Sequence, residues 1–229
     1  MEPNVQGPKW KRIRKLGQGT FGSVYEVQNL DTKNIYAIKI ANSKAKNGNR
    51  ILSEEIRIHS KLIHPNIIQF VTSFNIEESH SMVIEIANGG DLSKQIKLGL
   101  SKEKIRKWGT EITRSLIYLK EHGILHRDIK GNNVLIKDNV AKLSDFGRAI
   151  FVTELAGSTK IVGTSGYIAP EVVRDRKYSY QSDVWSFGVY MWEVTHRQEP
   201  FKGHEVFEIA MGTCSSSILA RLNSANGLF

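Results

Sequence analysis

A single cysteine, Cys214, stands in 229 residues. No disulfide can close within the chain, and a reducing, intracellular setting is expected. Cys214 sits outside any Cys/His cluster and reads as an ordinary thiol. No run of 18 or more uncharged apolar residues occurs, and the start MEPNVQGPKWKRIRK lacks an apolar stretch, so neither a membrane span nor a secretory leader is expected. Internal repeats and biased tracts are missing too, which excludes solenoids and low-complexity chains. Acidic residues are in the minority: 32 Lys and Arg face 23 Asp and Glu, a net charge of +9. That excess invites a nucleic-acid reading. It is, however, spread along the chain: residues 1–85 hold 12 basic and 8 acidic residues, leaving 32 − 12 = 20 and 23 − 8 = 15 for the rest. Only Lys9–Lys15 forms a dense basic run, and the rest of the excess is dispersed, so no nucleic-acid partner is expected.

What is present fits a globular protein, with 40% apolar and 24% charged residues and enough length for a sizeable core. The front half predicts short strands at Arg12–Leu16, Ser23–Gln28, Ile35–Ile40 and Met82–Ile86, rich in Ile, Val and Tyr. One helix is predicted among them, over Arg50–Leu62, from the spacing of Ile51, Leu52, Ile56, Ile58 and Leu62. After Asn88-Gly89-Gly90 the texture turns helical, over Asp91–Leu98 and Lys102–His122. The expected class is α+β in two lobes.

Gly17-Gln18-Gly19-Thr20-Phe21-Gly22 fits G-x-G-x-x-G. A dinucleotide-binding loop would lead from strand to helix, whereas Ser23-Val24-Tyr25-Glu26-Val27 continues as a strand. No Gly-Lys-Ser/Thr follows, which removes the Walker A reading. What remains is a strand–turn–strand flap whose glycines let backbone N–H groups approach phosphates. Ala37-Ile38-Lys39 then follows in a strand, and with it the chain resembles a protein kinase. In the resemblance Lys39 meets the nucleotide's α/β-phosphates and is held by a helix glutamate. The spacing to His64-Pro65-Asn66 selects Glu55, with Glu54 as its rival. His59 stands where the family has an apolar residue; it reads either as a tolerated, partly exposed imidazole or as a group that makes the packing of this helix pH-sensitive.

His126-Arg127-Asp128-Ile129-Lys130-Gly131-Asn132-Asn133 matches the family's H-R-D-L-x-x-x-N with Ile for Leu, and Asp145-Phe146-Gly147, Ala169-Pro170-Glu171 and Asp183-Val184-Trp185-Ser186-Phe187-Gly188 follow in family order. The resemblance implies that Asp128 aligns a substrate hydroxyl and accepts its proton. It also implies that Lys130 neutralises charge on the γ-phosphoryl oxygens and that Asn133 and Asp145 hold Mg²⁺. His126 is read as structural, Asp183 as an acceptor for the catalytic-loop backbone, and Arg127 as a receiver for an activation-loop phosphate. ATP is expected to contact Leu16, Gly17, Gln18, Gly19, Thr20, Phe21, Gly22, Ser23, Val24, Ala37, Lys39 and Leu135, with its base bonded through the backbone of Glu85 and Ala87 behind Ile84.

Lys130 and Gly163-Thr164-Ser165-Gly166-Tyr167 resemble the serine/threonine class. The Asp-Ile-Lys-Gly-Asn-Asn stretch and the segment from Trp192 to Gly203 look like mixed-lineage and MAP kinase kinase kinase relatives. The implied fold is bilobal: a kinase domain over 10–212, with a small antiparallel β-rich N-lobe (10–87) holding one helix and a mainly helical C-lobe (88–212). Its expected activity is transfer of the γ-phosphoryl group of ATP, with Mg²⁺, to Ser/Thr hydroxyls of a protein substrate in cytoplasmic signalling. Thr153, Ser158 and Thr159 are candidate phosphosites, Thr159 foremost, filled by an upstream kinase or by autophosphorylation. The resemblance fades near Met211, leaving 213–229 as an atypical tail. Only 229 − 171 = 58 residues follow Glu171, whose arginine partner in the family lies later than Arg221. The C-lobe is therefore expected to lack its last helices, and a truncated, poorly active domain that acts through binding or is not stably folded is the alternative expectation.

Overall fold

The computed structural model describes residues 9–19, 21–156, 160–198, 201 and 208. The expectations for Thr20, Ser158, Thr159, Arg221, Cys214 and the 213–229 tail fall outside the described residues. The chain divides into two compact units, Met1–Asn88 with Asp145–Gly147, and Gly89–Ser144 with Arg148–Phe229.

The first unit is an antiparallel five-stranded sheet with one helix. Its strands are β1 (Trp10–Gly19), β2 (Gly22–Asn29), β3 (Ile35–Ala41), β4 (Phe70–Ile76) and β5 (Ser79–Glu85), in the order β1-β2-β3-β5-β4. Strand β3 shows why the sequence folds this way. Its period-2 pattern sends Ile38 and Ile40 into a core with Tyr25, Val27 and Val83, while Ala41 joins Leu52 and Met82 in a second cluster. Trp10 closes the first cluster edge-on to Tyr36 at 5.5 Å and stacked on Phe74 at 6.4 Å. The second cluster seats helix α1 (Gly48–His59) through Leu52, with Ile84 packed at its border.

Helix α1 begins two residues before the predicted start and stops at His59. Pro65 disfavours helical backbone just ahead of it, and Leu62 turns back on His59 O by a 3.1 Å hydrogen bond. His59 is 1% exposed, which corrects the expectation of a partly exposed imidazole. Its Nε2 lies 2.5 Å from Ile68 O, and its ring packs 4.8 Å from that of Phe146. A carbonyl can only accept, so Nε2 carries the proton.

The second unit holds α2 (Leu92–Leu98), α3 (Lys102–Glu121), β6 (Ile124–Leu125), β7 (Val134–Lys137), β8 (Val140–Leu143), β9 (Ile150–Phe151), α4 (Pro170–Asp175) and α5 (Tyr180–His196). Ser101 caps α3, whose Trp108, Ile112 and Leu119 are buried at helical spacing. The β7–β8 hairpin turns through Asp138 and Asn139, both in left-handed backbone. Helix α3 grips this turn: Trp108 Nε1 donates to Asn139 O at 3.1 Å and Ala141 N to Glu111 Oε2 at 2.8 Å. Helix α5 starts with a capping box between Ser179 and Ser182. Among the described residues, no helix is long and apolar enough to cross a membrane.

Candidate active site

The glycine loop is the tip of the β1–β2 hairpin, where Gly19 pairs with Gly22. Its three glycines are not equivalent. A Cβ on Gly22 would lie 2.5 Å from Ile40 O, a backbone atom that cannot swing aside, so packing alone requires glycine there. A Cβ on Gly17 would meet nothing within 4 Å, and one on Gly19 only Gly22 O at 4.0 Å. Around the loop, Leu16 and Phe21 are exposed, Ser23 and Val24 half-buried, and Gln18 Oε1 accepts from Lys15 at 2.8 Å. Ala37 is buried next to Lys39 in β3. Glu85 ends β5 with its amide on Gln69 O and its carboxylate accepting from Gln69 N, both at 2.9 Å; Ala87 follows, half-buried.

Strand β3 delivers Lys39 to two carboxylates. Its Nζ lies 2.6 Å from Glu55 Oε2 and 3.0 Å from Asp145 Oδ1. Glu54, the rival by one position, turns outward to Arg57 at 2.9 Å. Burial opposes charge on both partners of the central pair. At Lys39 the Glu55 and Asp145 carboxylates outweigh it and hold the ammonium protonated well above the usual lysine range. At Glu55, burial raises the carboxyl and Lys39 pulls it back. Asp145 has left-handed backbone at φ 61, as Arg127 does at φ 64, so both are held in a sparsely populated conformation by their surroundings.

The second unit builds a separate network around Asp128, which is 5% exposed. Thr164 Oγ1 donates to Asp128 Oδ1 at 2.6 Å and accepts from Lys130 Nζ at 2.7 Å. Lys130 Nζ also lies 3.2 Å from Asp128 Oδ2. Asn133 Nδ2 donates to Asp128 O at 2.8 Å and to Oδ2 at 3.2 Å, which leaves the amide oxygen as the group able to face a cation. A carboxylate that holds a hydroxyl while an ammonium donates to that same oxygen is equipped to take the hydroxyl proton. Leu135 lies half-buried in β7 of the same unit.

This loop is fixed from beneath. Asp183 Oδ2 and Oδ1 accept the His126 and Arg127 amides, each at 2.8 Å. Burial nevertheless pushes the Asp183 carboxyl above its usual range. His126 is fully buried, with Nε2 donating to Ser144 O at 3.1 Å and Nδ1 accepting from Asp128 N at 3.3 Å. Arg127 Nε donates to Arg148 O at 2.7 Å, and its guanidinium lies 5.1 Å from the Tyr178 ring centroid. Burial lowers its pKa from the ordinary arginine value. Thr153 is exposed in a 3₁₀ turn, Val152–Glu154. Two neighbours of the site escaped sequence reasoning. Arg148 brings Nε to 3.6 Å from Asp128 Oδ2, and the Tyr178 hydroxyl donates to Val162 O at 2.8 Å. Arg148 had only its place after D-F-G as a signal, and Tyr178 had none.

Comparison with known proteins places these networks in a lineage. Residues 10–224 match the protein kinase domain family. The chain is 36% identical over 197 residues to the serine/threonine-protein kinase AtPK2/AtPK19 of Arabidopsis thaliana, covering 83% of this chain and 42% of that protein. It is 34% identical over 207 residues to mitogen-activated protein kinase kinase kinase 2 of Arabidopsis thaliana (84% and 32%). It is 30% identical over 217 residues to the human serine/threonine-protein kinase Nek5 (91% and 31%). The chain thus spans under half the length of these relatives. A crystal structure of a kinase domain superposes with a TM-score of 0.85 at 26% identity, over 99% of this chain and 77% of the other. With that match running from residue 10 to residue 224, the chain belongs to the protein kinase domain family.

Proposed function

We propose that the chain is a serine/threonine protein kinase, transferring the γ-phosphoryl group of ATP to Ser and Thr hydroxyls of proteins. The observation that carries this reading is the Thr164 hydroxyl held between Asp128 Oδ1 and Lys130 Nζ at 2.6 and 2.7 Å. An aliphatic hydroxyl already occupies the arrangement in which an acceptor hydroxyl would be deprotonated.

The residues present fit a magnesium nucleotide. Asp145 and Asn133 supply the hard oxygens that Mg²⁺ prefers, and Gly17 and Gly19 leave open space beside backbone amides. When bound, the magnesium nucleotide supplies the phosphoryl group and the positive charge that neutralises its oxygens. Lys39, oriented by Glu55, binds the phosphates. Leu16, Gln18, Thr20, Phe21, Gly22, Ser23, Val24, Ala37 and Leu135 belong to the nucleotide's surroundings, with the Glu85 and Ala87 backbone reading its base. Asp128 orients the acceptor hydroxyl and takes its proton as the new O–P bond forms and the bond from the γ-phosphorus to the bridging oxygen breaks, with ADP as the leaving group. Lys130 balances the charge that builds on the phosphoryl oxygens.

A cytoplasmic setting, where thiols stay reduced, fits one cysteine in 229 residues. A phosphate on Thr159, placed by an upstream kinase or by the chain itself, would find a receiver in Arg127, with Arg148 beside it. The test is transfer of labelled phosphate from Mg·ATP to a generic protein substrate, with Asp145→Asn and Asp128→Asn as comparators. Phosphoserine and phosphothreonine are expected, formed at least about a hundredfold faster than by either variant. Equal rates, or phosphotyrosine alone, would overturn the proposal.

A further inference from the structure

Helix α1 carries Glu55, yet its own first turn is weakly anchored. Asn47 precedes it at φ 69 without a side-chain cap, and no acidic residue stands in the first turn. Ile56 packs against the Ala41, Leu52 and Met82 cluster, but beyond it the packing is incomplete. A cavity of about 330 Å³ opens where Ser53 and Ile56 face Phe74 and His80. Hydrogen bonds bridge the gap instead. Asn49 Nδ2 donates to Glu78 O at 2.6 Å and Asn49 Oδ1 accepts from His80 N at 2.9 Å. One helical turn later, Ser53 Oγ lies 2.5 Å from His80 Nδ1. His80 is therefore held twice, by its main chain and by its ring.

These contacts close a ring. His80 lies in β5, and β5 pairs Met82 with Lys39 of β3. Lys39 binds Glu55, and Glu55 lies two residues beyond Ser53 on α1. Two residues are about 200° of helical rotation, so the clip and the ion pair grip opposite sides of α1. Releasing the clip lets the helix turn or lift about the remaining contact, and Asp145 stands ready to retain Lys39 when Glu55 withdraws, since its Oδ1 is already 3.0 Å away.

We propose that His80, with Ser53 and Asn49, is a positioning residue for the Lys39–Glu55 pair, an inference that rests on the phosphoryl-transfer reading above. It touches no reacting atom and acts through the placement of α1.

The full chain is compared with Ser53→Ala, His80→Leu, His80→Asn and the Ser53→Ala/His80→Leu double variant. An asparagine amide can accept from or donate to Ser53 Oγ where Nδ1 stood, so it restores the contact in either direction. Amide hydrogen exchange of residues 48–59 is expected to rise about three- to tenfold in Ser53→Ala and in His80→Leu, with β2 and β3 unchanged. The double variant should match the singles rather than multiply them, and His80→Asn should return to the parent rate. In Mg·ATP transfer, kcat should fall about three- to tenfold while KM for the protein substrate stays level. Unaltered exchange in α1, multiplied effects in the double variant, equal behaviour of Leu and Asn, or altered exchange with kcat intact would each overturn the clip. If the parent chain transfers no phosphate, the kinase reading fails and the positioning role with it. Exchange in α1 then still reports whether His80 holds the helix.

Discussion

Lys39 Nζ lies 2.6 Å from Glu55 Oε2, and the Glu55 side chain is only 2% exposed, against 27% for Lys39. The lysine is thus the counter-charge that lets a nearly dry carboxylate remain ionised. Removing it while keeping the volume, as in Lys39→Met, should destabilise the first unit by about 3 kcal/mol at neutral pH. The pH dependence follows from the directions of the two shifts. Lys39 is raised, so its contribution is fully present below the ordinary lysine value of 10.5 and constant between pH 5 and 9. Glu55 is raised by burial, and in Lys39→Met it loses the group that pulls it down. Between 4.5, its ordinary value, and its raised value, the folded chain then holds a proton that the unfolded chain has released. The variant's deficit should therefore narrow on acidification, by at most about 1.4 kcal/mol per pH unit. Urea unfolding at pH 8, 7, 6 and 5.5 reads this directly. A deficit independent of pH would mean that Glu55 does not carry the cost.

The glycine loop separates packing from ligand approach. Gly22→Ala forces a Cβ to 2.5 Å from Ile40 O and should cost about 1–3 kcal/mol of stability. Gly17→Ala meets nothing within 4 Å and should change stability by less than about 0.5 kcal/mol. Its effect should appear in KM for ATP, raised about tenfold if the backbone there approaches phosphates. Thermal melts and nucleotide titrations of the two variants distinguish the roles. Equal melting temperatures for both would contradict the packing assigned to Gly22.

Asp183 carries two buried amide bonds on two oxygens, to His126 and Arg127. Asparagine offers one acceptor and turns an N–H toward the second amide. Asp183→Asn should therefore cost about 2 kcal/mol and speed hydrogen exchange at residues 126–128. The left-handed backbone of Arg127 adjoins this contact, so kcat should fall further than stability alone explains. Exchange at 126–128 indistinguishable from the parent would show that Asp183 does not hold the loop.

Sequence pattern alone predicted β2, β3, α2 and α3 closely, because each combines a clear period with a turn or capping residue. Strand β4 escaped: Phe70-Val71-Thr72-Ser73-Phe74-Asn75-Ile76 alternates, but Thr, Ser and Asn interrupt its apolar face, and a bulge shifts its register near Phe70. Hairpin β7–β8 escaped because its strands have four residues each, too few to show a period. The motif order singled out residues that the fold brings into contact, Lys39 with Glu55 and Asp128 with Lys130, and Glu55 over Glu54 followed from spacing to His64. Distances could not be read. Thr164 between Asp128 and Lys130 depends on a chain reversal of more than thirty residues. The Asn49–His80 contact joins a helix to a strand neighbour that neither segment's pattern announces. The burial of His59 is not legible in the sequence because an imidazole is ordinarily a surface group, whereas here the Ile68 carbonyl satisfies Nε2 inside the core.

Thr164 is the residue on which hydroxyl chemistry can be separated from fold. Its Oγ1 bridges Asp128 Oδ1 and Lys130 Nζ, and it is half-buried, so valine preserves shape and removes only the bridge. Without that oxygen the Lys130 ammonium, already 3.2 Å from Asp128 Oδ2, is free to close on the carboxylate and neutralise it. Thr164→Val should lower kcat about 10- to 100-fold with KM for ATP unchanged, because the nucleotide's own contacts are untouched. Thr164→Ser keeps the oxygen and should stay within about threefold of the parent. Steady-state kinetics on the three proteins, with unfolding curves as the fold control, decide the matter. If serine and valine fall together, the side-chain methyl rather than the hydroxyl is what the site requires, and the bridge has no part in transfer.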